Sequence, residues 1–325
     1  MTQFRGDANA LHVATYSGWY RFEQRDEQWT QVEKALTFWK LTGLQVDPLD
    51  PRHVYAATEH SGLFVSANGG AEWKRAKPNV PRLTTVSLLA LPGAILAGTV
   101  PAALYSAANG GEWRELEGVR LGAVSGSFPP SPELGARTRF LAADNQTPRR
   151  LYAAIEVGGL LVSDNEGQDW AAAVTGLDDP DVHQVLPSER TKGLVVAACG
   201  EGVYRSKDRG EHWEKITLSG ARTFGSAVTE DSGGNIYLGI ALGRPNTWLR
   251  KERADAAVFV SQDGGAHWNV LIEGLSGGVM AMCPGLGGQG VFASTSEGDV
   301  LSVDSGVART VISGLPSITA LAVGA

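Results

Sequence analysis

Apolar residues along the chain come in short blocks, not in long amphipathic stretches. Seven β-rich runs, at residues 11–15, 53–58, 94–99, 151–155, 194–199, 235–240 and 291–295, predict seven related strands. Around them lie a second short run, such as Gly62-Leu-Phe-Val65 or Gly202-Val-Tyr-Arg205, and an earlier third, such as residues 182–186, 224–228 or 279–283. A fourth stretch begins at a recurring tryptophan.

The polar segments repeat as well. Ser66-Ala-Asn68-Gly-Gly70-Ala-Glu-Trp73 recurs as Ser163-Asp-Asn165-Glu-Gly167-Gln-Asp-Trp170, as Ser206-Lys-Asp208-Arg-Gly210-Glu-His-Trp213 and as Ser261-Gln-Asp263-Gly-Gly265-Ala-His-Trp268. Residues 106–113 are a fifth copy, with Ala108 at the acidic position. Ser302-Val-Asp304-Ser-Gly306 is a worn sixth, in which Arg309 replaces the tryptophan. A seventh keeps little but Trp29, eleven residues after Gly18, the gap that also separates Gly62 from Trp73.

Four short strands in a period of about 45 residues mark a β-propeller blade. The chain opens at the second strand of a repeat, and Ile318-Thr-Ala-Leu-Ala-Val323 matches the missing first strand. The expectation is an all-β, seven-bladed β-propeller of four-stranded antiparallel blades, one domain over residues 1–325. The C-terminal strand would complete the N-terminal blade and leave no open sheet edge.

The box resembles the Asp-box, or BNR, repeat of sialidases, sortilin-type receptors, xyloglucan-degrading glycosidases and photosystem II assembly factors. Over its whole length the chain looks most like bacterial intracellular BNR-repeat propellers, a sialidase-like group. The resemblance implies that the box joins the third and fourth strands, away from most binding sites, and that ligands meet the opposite face. Within the box, Ser and Asp or Asn can hold backbone N–H groups of a tight turn. Glycine supplies positive φ, and tryptophan covers the turn. Asp208, Asp263, His212 and His267 are box positions and read as structural.

Composition narrows the function classes. Gly and Pro number 41 and 15 of 325 residues, about 17% together against roughly 12% on average, as a turn-rich fold requires. A net charge of −7 with no basic run argues against nucleic acid. Two cysteines cannot build a disulfide framework or a Cys-only zinc site. The start of the chain has no apolar signal core, and no run approaches the ~20 apolar residues of a membrane helix. A soluble, cytoplasmic protein without a membrane partner is expected.

Candidate chemistry falls in the loops joining strands two and three and in those linking blades. His183, at the start of an innermost strand, is the sharpest candidate; with Glu156 and Glu201 it forms a candidate catalytic set for acid–base work. His183, Glu156 and His60 could together hold a divalent metal. Glu59, His60, Asp181, Arg222, Arg244 and Trp248 are candidate ligand contacts. The plain alternative is that short propeller loops are polar because they are wet.

Two insertions break the period, at about 118–137 and 241–257. Trp113 and Trp170 stand 57 residues apart and Trp213 and Trp268 55, against 40 to 44 for the other intervals. The first insertion contains Phe128-Pro-Pro-Ser-Pro132 and could form a lid. The second sets Trp248 among Arg244, Arg250, Lys251 and Arg253, which favours an anionic partner if it is not simply a solvated loop.

A standard sialidase is disfavoured, because no Arg-Ile-Pro or Arg-Leu-Pro occurs. Xyloglucan-type glycosidases usually pair two propellers, and photosystem factors are exported. No nucleophile elbow or phosphate loop is visible. Two classes remain. One is a propeller binding a small polar, carbohydrate-like or anionic molecule in a loop-face pocket, with hydrolase or lyase chemistry as its enzymatic version. The other is a non-enzymatic scaffold docking another protein.

Overall fold

The four-strand period becomes seven antiparallel sheets in a computed structural model describing residues 10–324 apart from 27, 109–110, 122–135, 148, 249–252 and 305. Blade 1 takes β1 (Ala10–Thr15), β2 (Gly18–Arg25) and β3 (Gln28–Ala35). Blade 2 holds β4 (Leu41–Val46), β5 (Val54–Thr58), β6 (Gly62–Ser66) and β7 (Lys74–Arg75). Blade 3 holds β8 (Thr85–Leu91), β9 (Ala94–Thr99), β10 (Leu104–Ala108) and β11 (Arg114–Glu115), followed by the short α1 (Gly118–Leu121). Blade 4 holds β12 (Arg137–Ala143), β13 (Leu151–Glu156), β14 (Gly159–Ser163) and β15 (Ala171–Ala172). Blade 5 holds β16 (Val182–Pro187), β17 (Val195–Cys199), β18 (Gly202–Ser206) and β19 (Glu214–Lys215). Blade 6 holds β20 (Phe224–Glu230), β21 (Ile236–Ala241), the short α2 (Pro245–Trp248), β22 (Ala256–Ser261) and β23 (Asn269–Leu275). Blade 7 holds β24 (Val279–Pro284), β25 (Val291–Thr295), β26 (Val300–Asp304) and β27 (Val307–Ile312). Finally β28 (Ile318–Gly324) pairs with β1, from Ala10↔Gly324 to Thr15↔Ile318, and completes blade 1.

The second strands are the predicted β-rich runs, and β5, β17, β21 and β25 are buried at every residue. A blade is covered by a neighbour on each face, so these strands have no wet side and no polar alternation. Alanine pairs such as Ala56-Ala57, Ala153-Ala154 and Ala197-Ala198 let neighbouring sheets approach one another. Seven apolar clusters result, each drawing residues from two successive blades.

The box is a self-contained turn. In blades 2, 4, 5 and 6 the serine Oγ accepts the N–H of the glycine four residues on, at 2.7–2.8 Å. The same hydroxyl donates to Oδ1 of the Asn or Asp, which in turn accepts a further backbone N–H at 2.8–2.9 Å. Gly210 turns with φ 92°, a conformation that disfavours a side chain. Trp170, Trp213 and Trp268 then donate their indole N–H to the box glycine carbonyl at 3.0–3.1 Å.

Blades 7 and 1 depart from this plan. The worn sixth copy forms no such turn: Asp304 pairs with Val307, and Arg309 lies within β27 opposite Ser302. Blade 1 has the same short hairpin, with Arg25 opposite Gln28 and Trp29 inside β3. In both blades the fourth strand, β3 or β27, is longer than the two-residue fourth strands of blades 2 to 5.

Candidate functional site

The register puts the starts of the innermost strands beside the ends of the second strands, as in Arg137↔Glu156, Val182↔Cys199 and Phe224↔Ala241. The loops between strands two and three therefore share one face of the ring with the inter-blade loops, and the boxes occupy the other. A central channel of about 1560 Å³ runs through the ring. Its walls mix apolar residues such as Phe140 and Leu186 with polar ones such as Gln45 and Gln184, and its loop-face mouth is lined by Lys40, Glu59, His60, Arg137, Arg139 and His183.

At this mouth Glu156 accepts an ion pair from each of two guanidinium groups, 3.0 Å from Arg137 Nε and 2.8 Å from Arg139 Nη1. Both arginines belong to β12, whose register against β13 shifts between Thr138 and Phe140, so Arg139 sits in a bulge beside Arg137. A bulge leaves no mark in the spacing, and Arg139 is not among the candidate contacts read from the sequence.

His183 is the neighbouring feature. Its Nδ1–H donates to the Gly225 carbonyl at 2.7 Å, since a carbonyl can only accept. Its Nε2 stands 3.4 Å from Asp181 Oδ1, and its ring packs on Phe224 with centroids 4.6 Å apart. Only 2% of the side chain is exposed. Burial pushes the Asp181 carboxyl up, but adjacent His183, with Arg139 and Arg244, outweighs it and holds the group below the usual carboxylate range. Arg244 reaches Glu201 at 3.3 Å across the outer rim. Blades 4, 5 and 6 thus carry a linked sector containing Glu156, Asp181, His183, Glu201 and Arg244.

The remaining candidates lie elsewhere. Glu59 is held by Lys40 at 2.8 Å, and His60 beside it is 78% exposed. Arg222 is nearly buried and braces the β21–β22 loop through Asp255 at 2.9 Å, with Glu273 at 3.2 Å. Trp248 donates to the Gly243 carbonyl and packs against Phe224, and a Cβ on Gly278 would strike its ring. Its indole is committed to holding the insertion against blade 7. Arg250 and Lys251, and most of the first insertion, lie outside the described residues.

The expected metal triad of His183, Glu156 and His60 does not assemble. Glu156 is drawn to its two arginines, His183 is turned to Gly225 and Asp181, and His60 stands in solvent on blade 2. Among the described residues, the one grouping of three such side chains close enough to share an ion is Asp208, Glu211 and His212, on the opposite face. There His212 Nδ1 already lies 2.8 Å from Asp208 Oδ2, within an exposed box turn.

No family model and no curated protein matches the sequence. Solved structures match it in fold. A GH74 xyloglucanase from Xanthomonas campestris is similar with a TM-score of 0.66 at 18% identity over 90% of this chain, which spans 50% of that enzyme. YCF48 bound to D1 peptide gives 0.57 at 14% identity, covering 93% of this chain and 84% of that one. The WD40 propeller domain of Doa1 gives 0.62 at 10% identity, covering 89% and 87%. A glycosidase and a peptide-bound protein share the fold, so function must be argued from the site. Among the described residues no helix is long and apolar enough to cross a membrane.

Proposed function

We propose that the protein binds a small polar, anionic molecule at the loop-face mouth of its channel. The observation that carries this reading is one carboxylate, Glu156, shared by two guanidinium groups, Arg137 and Arg139, that line the mouth. Glu156 fixes the two forks, and their remaining N–H donors are available to a carboxylate or phosphate, which arginine recognises in bidentate geometry. The mixed walls below, with Phe140, Leu186 and Gln184, would take the body of a polar ligand. In the hydrolase or lyase version, the Asp181–His183 pair moves the proton, Glu156 supplies the neighbouring carboxylate and Glu201 the outer edge. That version needs His183 uncovered, so binding is the better supported role. The five box positions favour placing the chain with the Asp-box propellers, and two buried free thiols, Cys199 and Cys283, suit a reducing cytoplasm.

Titration calorimetry with a panel of uronates, sugar phosphates and neutral sugars tests this. Saturable binding of the anions alone, weakened at least tenfold in Arg139→Ala, is expected; equal binding of neutral sugars or an unaffected variant would overturn it.

Protein docking is the second reading, favoured by one observation. Phe38 is 92% exposed on the loop face, where Tyr16 and Leu83 are also half-exposed. Phe38→Ala would then abolish pull-down of a partner without touching anion binding.

A further inference from the structure

The seven junctions between blades are not equivalent. Trp73, Trp113, Trp170, Trp213, Trp268 and Trp29 each enter the apolar cluster of one junction, in the order 1/2, 2/3, 3/4, 4/5, 5/6 and 7/1. The 6/7 junction has no counterpart among the described residues. Its one tryptophan, Trp248, comes from the loop on the other face.

A cavity of about 470 Å³ stands where that ring is missing, lined among others by Tyr237, Val260, Asn269, Leu271, Asp304 and Gly306. The strand registers make its walls comparable with the 4/5 junction. Tyr237 pairs with Val260 as Tyr152 pairs with Val162, and Val260 with Asn269 as Val162 with Ala171. At 4/5 the space is full. Trp213 donates to the Ala173 carbonyl at 2.9 Å, and a Cβ on Gly210 would lie 3.4 Å from that indole and 3.5 Å from Tyr152. A Cβ on Gly306 would meet nothing within 4 Å.

We infer that the cavity between blades 6 and 7 is a binding site for an indole ring, supplied either as a tryptophan side chain of a partner polypeptide or as a free indole compound. The fold itself shows what fits, because six sister junctions hold this ring. A planar aromatic gains from the apolar faces of Val260 and Leu271, while its N–H needs a carbonyl such as the box glycine provides elsewhere. Asp231 and Asp304 on the wall exclude an anionic indole. Tyr237 O–H already donates to Asp231 at 3.0 Å, so the wall is ordered before a ligand arrives.

The test uses the whole chain with indole, N-acetyl-tryptophanamide and N-acetyl-alaninamide. Ala308 is one step in from the blade 7 hairpin, as Trp29 is in blade 1, and it packs on the 6/7 cluster. Ala308→Trp should therefore fill the cavity from within. Both indole probes should raise the melting temperature saturably and shift the methyl signals of Val260 and Leu271 in the wild type. The alanine amide should not, and Ala308→Trp should melt higher and respond at least tenfold more weakly. Binding of indole without the amide assigns a free compound; binding of both admits a peptide-borne tryptophan. No binding, equal binding to Ala308→Trp, or methyl shifts confined to the central channel would overturn the proposal. Should Ala308→Trp fail to fold, the wild-type methyl shifts alone decide.

Discussion

On the box face, blades 2, 4, 5 and 6 close the same turn with the same three groups: a serine hydroxyl, an Asn or Asp oxygen and a glycine N–H. On the loop face each blade differs: blade 4 ends in a carboxylate between two arginines, blade 5 in a covered histidine and blade 6 in an insertion pinned by Trp248. The box turn must bury an indole and satisfy several N–H groups in one small space, so few solutions exist and the sequence repeats them. The loop turns only have to return the chain, which leaves them free to carry charge.

The contrast can be broken first at Trp213, which is 6% exposed between blades 4 and 5. Trp213→Ala should lower unfolding free energy by about 3–5 kcal/mol in urea. Trp248→Ala, on the other face, should cost less. Next comes Ser206→Ala, which strips the acceptor from Gly210 N–H and the donor to Asp208. A loss of about 1–3 kcal/mol is expected from the orphaned groups. Arg139→Ala should behave oppositely, moving stability by less than about 1 kcal/mol, as for partly exposed ion pairs, while weakening anion binding.

The smallest effect is acid sensitivity of the box. Burial would raise Asp208, yet the Ser206 hydroxyl and the backbone N–H and ring of His212 hold it down to about 2. A folded pKa below the unfolded value of ~3.9 stabilises the protein above about pH 4 and ceases to do so as pH falls toward 2. Asp208→Asn should flatten this slope in acid melts and still fold, because Asn68 and Asn165 fill the same position in blades 2 and 4. A steeper slope in the variant would contradict the assignment.

The strands were legible because burial on both faces leaves an apolar run with no polar alternation, and the box because its hydrogen bonds run within eight residues. Blade 7 misled for the same reason: Ser302, Asp304 and Gly306 keep box identities, but Arg309 stands in place of the indole and the strands pair as a hairpin. The site was legible only in part. His183 and Asp181 are two residues apart and could be paired from the sequence, whereas the reach of Arg244 to Glu201, 43 residues away, depends on how blade 6 leans over blade 5. Arg222 looked like a ligand contact because its partners, Asp255 and Glu273, lie 33 and 51 residues downstream.

The pairing of β28 with β1 also sets a clock. Thr15 waits for Ile318, some 300 residues later, which at about 5–20 residues per second is roughly 15–60 s of synthesis. During that interval β1 offers a bare edge of backbone donors and acceptors, and any strand of suitable length can take the place reserved for β28.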